Sequence, residues 1–517
     1  MMRAALAVLA ALLPMPARAD APLSAIPWLT ESIRTAPAGT LPAATGSDAA
    51  GTGIADIRMT ALDAPQRDGA GLLRPSQTGF PAAIWGQSSP ARARDLILGH
   101  QPRGLPETQA LFRRLLLAQT EPPPGAGPEA AVLLARIDRL IQLGALDDAD
   151  ALIRQAGVTD PELFRRAFDI GLLTERPGRV CDMLRSSPSL SPTLPARVFC
   201  LARAGDWDAA ALTLELGGGI GDIAPVQRDL LSRFLDPALF EDMPAPEPSD
   251  PMTPLEFVLR ESVALPRPVR ALPLAFLHAD LADHAPPRTR ILAAERLVRV
   301  AAIRADQLFA TYRAGRPAAS GSVWDHAAAI QAIDAALHAG DPDGIADALA
   351  RADSLFSQLG LRLPFAQGIA RKLATVPRDG FPDDRIDLPH TLLILAGDAA
   401  AARKWQRAAL TPGDRLKVAL AEGSGDLPAS AALSELERAI VAGLTGAGPY
   451  SDDTRRIAAM FATEYAAGLL ATLDLLAPGA EIDPRELERA LWLLRQAGLE
   501  PAARRIALET LLLAEEA

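Results

Sequence analysis

Leu201-Ala202-Arg203-Ala204-Gly205-Asp206-Trp207-Asp208-Ala209-Ala210 carries the pattern that decides the fold: Leu, three residues, Gly, four residues, Ala. The same spacing recurs at Leu140…Gly144…Ala149, Leu393…Gly397…Ala402 and Leu494…Gly498…Ala503. It describes a helical hairpin. The Leu lies one turn before the end of a first helix, on its inner face. The Gly takes the left-handed backbone angle of the turn at no steric cost. Asp206 and Asp398 follow the Gly and are placed to cap the second helix. The Ala falls where the two helices approach most closely. A single hairpin cannot bury its apolar face, so such units stack.

The Leu201…Ala210 copy resembles the tetratricopeptide repeat (TPR), in which a large residue precedes Gly-Asp-Tyr-x-x-Ala across the interhelical turn. Pro161, after the first copy, stands where that family places its terminating proline. The other copies lack the proline, and the family's aromatic positions are mostly Leu or Ala. Gly171 and Gly340 read as degenerate copies. The resemblance spans about half of the chain and implies an α-solenoid, without a regular tandem array. The expected fold is therefore all-α: a solenoid of TPR-like hairpins in two halves, preceded by an extended low-complexity N-terminal arm. Ala, Leu and Arg dominate and aromatics are only 4%, a helix-forming composition.

Around these hairpins the chain divides into segments. Met1–Ala19 reads as a secretory signal peptide: Arg3, then the apolar Ala4–Leu13, then Ala17-Arg18-Ala19 before the cleavage point. Residues 20–90 form a Pro/Gly/Ala-rich arm with apolar islands. Two of these, around Ile26, Trp28 and Leu29 and around Ile84 and Trp85, are candidate docking motifs, or else segments that pack back on the chain's own helices. Helical periodicity runs through 91–242, stops at the proline-rich 243–254, and resumes over 255–517. The segment 243–254 is the expected boundary between two helical-repeat domains.

The net charge is −11, and −13 once Arg3 and Arg18 leave with the signal. No basic stripe or aromatic–basic interleaving occurs, which excludes a nucleic-acid partner. Beyond the signal, no stretch has the ~18–20 uncharged apolar residues of an integral membrane span. Cys181 and Cys200, on successive helices of an exported chain, are expected to form a disulfide; two buried thiols are the alternative.

Catalytic, cofactor and metal patterns are weak. His278 and His284 lie six residues apart, off a shared helical face. They read, with Asp280 and Asp283, as solvent-facing residues near a helix end. Ser322 in Ser320–His326 reads as a helix cap before Val323, with Trp324 packing. Gly217–Gly221 reads as a flexible turn, since no phosphate-loop Lys follows. The expectation is a periplasmic, non-enzymatic scaffold or adaptor without cofactor. Its partner would be another cell-envelope protein or complex, such as cell-wall machinery or the flagellar motor and its stator, with peptidoglycan association as a further candidate. The alternative is a glycan-cleaving cell-wall enzyme with a carboxylate pair. Soluble lytic transglycosylases resemble this chain in their long periplasmic α-superhelix, but the Glu-Ser motif of their catalytic domain has no counterpart here.

Overall fold

The computed structural model describes residues 67–514, apart from 159, 192, 268–270, 316–320, 424–426 and 449–450. Met1–Ala19, expected to be a signal peptide, and the island at Ile26, Trp28 and Leu29 lie outside the described residues. The chain is all-α: no β-strand occurs among the described residues, and one isolated bridge pairs Leu73 with Ala118.

In chain order the longer helices are α1 (Pro90–Gly99), α2 (Pro106–Leu117), α3 (Ala131–Gln142), α4 (Leu146–Ala156), α5 (Pro161–Leu173), α6 (Pro177–Ser186), α7 (Leu194–Arg203), α8 (Trp207–Ile220), α9 (Pro225–Leu235), α10 (Pro254–Ser262), α11 (Pro287–Arg299) and α12 (Ala305–Arg313). There follow α13 (Val323–Ala339), α14 (Pro342–Gln358), α15 (Arg362–Leu373), α16 (Asp387–Ala396), α17 (Pro412–Glu422), α18 (Glu435–Thr445), α19 (Asp452–Thr463), α20 (Tyr465–Leu475), α21 (Pro484–Gln496) and α22 (Glu500–Ala514).

The four Leu–Gly–Ala copies all sit at helix–turn–helix junctions and share one hydrogen bond. The carbonyls of Leu140, Leu201, Leu393 and Leu494 accept the N–H five residues on, from Ala145, Asp206, Asp398 and Leu499, at 2.8–3.0 Å. Each intervening Gly has a positive φ, between +73° and +87°. This is the Schellman closure, which satisfies a carbonyl the helix end would otherwise leave unpaired. Asp206 and Asp398 cap the following helices, accepting the N–H of Ala209 and Ala401. Ala149, Ala210, Ala402 and Ala503 are all buried where the helices meet.

The same closure occurs where the sequence pattern is absent. The carbonyls of Gly171, Arg260, Leu297 and Phe356 accept the N–H of Arg176, Leu265, Ala302 and Leu361. The left-handed residue is Glu175, Ala264, Ala301 or Gly360. Gly171 is thus inside α5, in the position of the Leu, and Val180 fills the position of the Ala. A Cβ on Gly171 would meet Val180 Cγ2 at 3.2 Å, so the large and small partners have exchanged places. The run Gly217–Gly221 is corrected in the same way: Gly217–Gly219 continue α8, and only Gly221 turns out of it. A Cβ at Gly217 would lie 2.7 Å from Ile223 and 2.8 Å from Leu194, so the glycine allows close helix packing.

Helix-to-helix packing forms a closed circuit. α2 packs on α3, α3 on α5, and α5 on the 3-10 helix Leu274–Leu281, which packs on α11. The circuit continues through α12, α15, α16 and α22, and α22 packs back on α2. α6–α9 form a side branch that leaves at α5 and returns through 243–254 to α10, which packs against α5. One hydrophobic cluster runs from Phe80 to Leu512, so the boundary expected at 243–254 does not separate two cores. The Cys181–Cys200 disulfide ties α6 to α7 within the branch.

The described part of the arm is structural. Ile84 is 0% and Trp85 1% exposed, so neither is available as a docking motif. Phe80 packs tilted against Tyr465, with ring centroids 5.9 Å apart, and the Ile84 carbonyl accepts the Ala466 N–H at 2.9 Å. Burying each large side chain contributes about 2–3 kcal/mol. Further back, the buried guanidinium of Arg136 donates to the carbonyls of Leu116, Ala118 and Ala70 at 2.6–2.7 Å. Asp68 accepts the Leu133 N–H at 2.8 Å. Residues 67–73 are held to α2 and α3 by these polar contacts.

Candidate binding site

The circuit of helices surrounds a cavity of about 1230 Å³. It is lined from α2, α11, α12, α15, α22, the α16 turn and the segment 477–481. Six arginines reach it, Arg113, Arg299, Arg304, Arg362, Arg371 and Arg505, against four carboxyl groups, Glu107, Asp306, Glu481 and Glu509. In a chain of net charge −11 this concentrates positive charge in one place.

Sequence order explains little of this cluster, because its parts come from opposite ends of the chain. Three arginines close helix ends across the circuit. Arg299 donates to the Leu359 carbonyl at 3.1 Å, Arg362 to Leu512 at 2.9 Å, and Arg505 to Ile394 at 3.2 Å and to Leu395. Each meets carbonyls at the negative end of a helix, where a cation is stabilising. Arg362 also forks onto Asp353 at 2.8 and 3.0 Å.

The seam between α2 and α22 is held by Glu509. Leu105, at the start of α2, offers no capping side chain. The Glu509 carboxylate accepts the Glu107 N–H at 2.8 Å in its place, and pairs with Arg505 at 2.9 Å. Burial pushes the Glu509 carboxyl up to about 6, against the opposing pull of Arg505 and the Glu107 N–H. Burial also raises Glu107, whose neighbour Arg114 opposes the shift.

A second feature lies on the side branch. On α8, Leu212, Leu216 and Ile220 are 61%, 62% and 71% exposed and recur every four residues, which places them in one stripe. Trp207, 51% exposed, stands at the head of the same helix. Asp208 and Asp222 lie near the two ends of this row, and Glu215 beside it pairs with Arg228 at 3.3 Å. Large apolar side chains in a contiguous exposed row are a mark of an interaction surface.

The other sequence candidates disperse. His278 is half-buried, and its Nε2 contacts the Gly144 carbonyl at 2.6 Å, so it is not solvent-facing. Asp280 pairs with Arg267 at 2.6 Å, while His284 is exposed beside Glu175. α13 begins at Val323 as expected, but the Ser322 side chain makes no capping bond; Asp325 accepts the Gly321 N–H instead. His326 is buried, with Nδ1 2.7 Å from Glu295, which also accepts the Tyr312 hydroxyl at 2.8 Å. This trio joins α11, α12 and α13 and does not line the central cavity. Among the described residues no cluster of three His, Cys, Asp or Glu could hold a metal ion, and no helix is long and apolar enough to cross a membrane.

The cavity arginines were not singled out by the sequence reading, since nothing local distinguishes them from solvated ones. The chain matches no protein-family model, no curated protein and no solved structure.

Proposed function

We propose that this protein is a non-catalytic binding scaffold of the bacterial cell envelope, exported by Met1–Ala19, that holds another envelope protein on the exposed face of α8. The observation that carries the reading is the row Leu212, Leu216 and Ile220 on the side branch, exposed and without a covering element among the described residues. Asp208 and Asp222, near the two ends of this row, favour a partner that brings an apolar ridge flanked by basic residues, while Glu215 is paired with Arg228. The Cys181–Cys200 disulfide supports export, because such bonds persist in oxidising compartments. Cell-wall machinery, a secretion apparatus and the flagellar motor with its stator are the partner classes this reading addresses.

The test is crosslinking of the tagged mature protein in intact periplasm, followed by identification of the captured proteins. A defined partner captured by the wild type and lost from Leu212→Asp and Leu216→Asp, with helicity unchanged, supports the reading. Equal capture by both variants overturns the assignment to α8.

One observation favours the alternative, a glycan-cleaving cell-wall enzyme. Glu107 and Glu509 both line the cavity, and both are shifted upward, as a general acid requires. Release of soluble fragments from purified peptidoglycan, abolished by Glu107→Gln in a folded protein, would establish it. The commitment of Glu509 to the α2 N-terminus and to Arg505 makes the scaffold reading the stronger one.

A further inference from the structure

We infer that the central cavity is a binding site for an acidic peptide segment, separate from the α8 face. The argument begins with charge. Arg113, Arg362 and Arg505 are paired with Asp148, Asp353 and Glu509, and Arg304 with Asp306. Arg299 is met by a carbonyl, which accepts a hydrogen bond without neutralising the guanidinium. Arg371 is exposed at the cavity and makes no ion pair among the described residues. Two cationic side chains on α11 and α15 are thus left for a ligand, against one exposed cavity carboxylate, Glu481.

Backbone dipoles add to this charge. α2, α12 and α15 all begin at the cavity wall. The Glu509 carboxylate already meets the N-terminus of α2, and α12 carries Asp306 in its first turn. α15 has no acidic residue in its first turn and its N-cap residue Leu361 accepts no capping hydrogen bond, so its positive end adds to the charge of the arginines, an arrangement that favours carboxylates.

Size and lining select the ligand class. Pockets for single small molecules occupy about 300–1,000 Å³. This cavity, at about 1230 Å³, is larger, and Leu105, Val298, Ile303 and Leu363 interrupt its polar wall. A few residues of extended chain, with Asp or Glu side chains reaching the arginine forks and apolar side chains between, match both properties. Planar guanidinium groups bind carboxylates through paired N–H donors, which adds direction to the charge attraction.

The test uses a fluorescent decapeptide of alternating Glu and Leu and the mature protein, followed by anisotropy. Saturable binding is expected, weakened at least tenfold between 50 and 300 mM salt. It should weaken at least tenfold in Arg371→Glu and Arg299→Glu, and stay unchanged in Arg92→Glu on the outer surface of α1. The Arg371 variant removes no described ion pair, so a folding defect would not imitate the result; circular dichroism of both variants checks this. No saturable binding, or equal weakening by Arg92→Glu, overturns the proposal. Displacement of the peptide by equimolar citrate or inorganic phosphate assigns the site to small anions and overturns the peptide class.

Discussion

Glu509→Gln tests the seam between the first and last parts of the circuit. The carboxyl is buried, accepts the Glu107 N–H, and is raised from its ordinary 4.5 to about 6. A raised carboxyl binds its proton more tightly in the folded state than in the unfolded one. Its contribution to stability is therefore fully present below pH 4.5 and is lost as pH rises through about 6. The shift corresponds to about 2 kcal/mol. Gln is neutral throughout and still offers an oxygen to the Glu107 N–H, so the variant lacks this loss. Urea denaturation of both proteins at pH 4.5 and pH 7 gives a double difference from which titrating groups that do not interact with Glu509 cancel. The wild type should lose about 2 kcal/mol more than the variant between the two pH values. Parallel pH profiles would refute the reasoning, because they would mean that Glu509 is solvated and the seam does not depend on it.

Three further perturbations address the turns, the branch and the arm. Gly397→Ala and Gly498→Ala should each destabilise by about 1 kcal/mol, whereas Ala264→Gly and Ala301→Gly, at the same left-handed position, should stabilise by about 0.5 kcal/mol. Melting temperatures that move in the same direction in both sets would contradict the shared closure. Replacing Cys181 and Cys200 by Ser opens a loop with a sequence separation of 19 and should cost about 3 kcal/mol, seen as earlier unfolding of α6 and α7 in hydrogen exchange. Arg136→Met leaves the Leu116, Ala118 and Ala70 carbonyls without their donor and should cost about 3 kcal/mol or more, with faster proteolysis at residues 67–73 as the local readout.

The hairpins were legible because their chemistry is local. Leu140, Gly144 and Ala149 specify a closing carbonyl, a left-handed turn and a close contact within ten residues, and the disulfide also joined neighbouring helices. Copies with Ala264 or Ala301 at the turn escaped notice, and the degenerate copy at Gly171 was read out of register, because Glu175 holds its turn; none of these residues announces a positive φ, which tertiary packing imposes. Gly217 misled for the opposite reason, since close neighbours within the packed helix leave no room for a Cβ there. For Ile84 and Trp85 the sequence left docking and self-packing both open, because their burial depends on Tyr465 and Ala466, nearly four hundred residues away. The central cavity was invisible for the same reason. The bond from the Glu107 N–H to Glu509 spans 402 positions, and no periodicity encodes a contact of that range.

The α2–α22 contact has a mechanical consequence. In an open line of stacked hairpins each unit leans only on its neighbours, and the ends can peel away one unit at a time. Here the two ends brace each other, so the array is a hoop rather than a spring. Tension applied to the array would be shared around the circumference until the Glu509 seam parts, and beyond that point the resistance should fall in a single step.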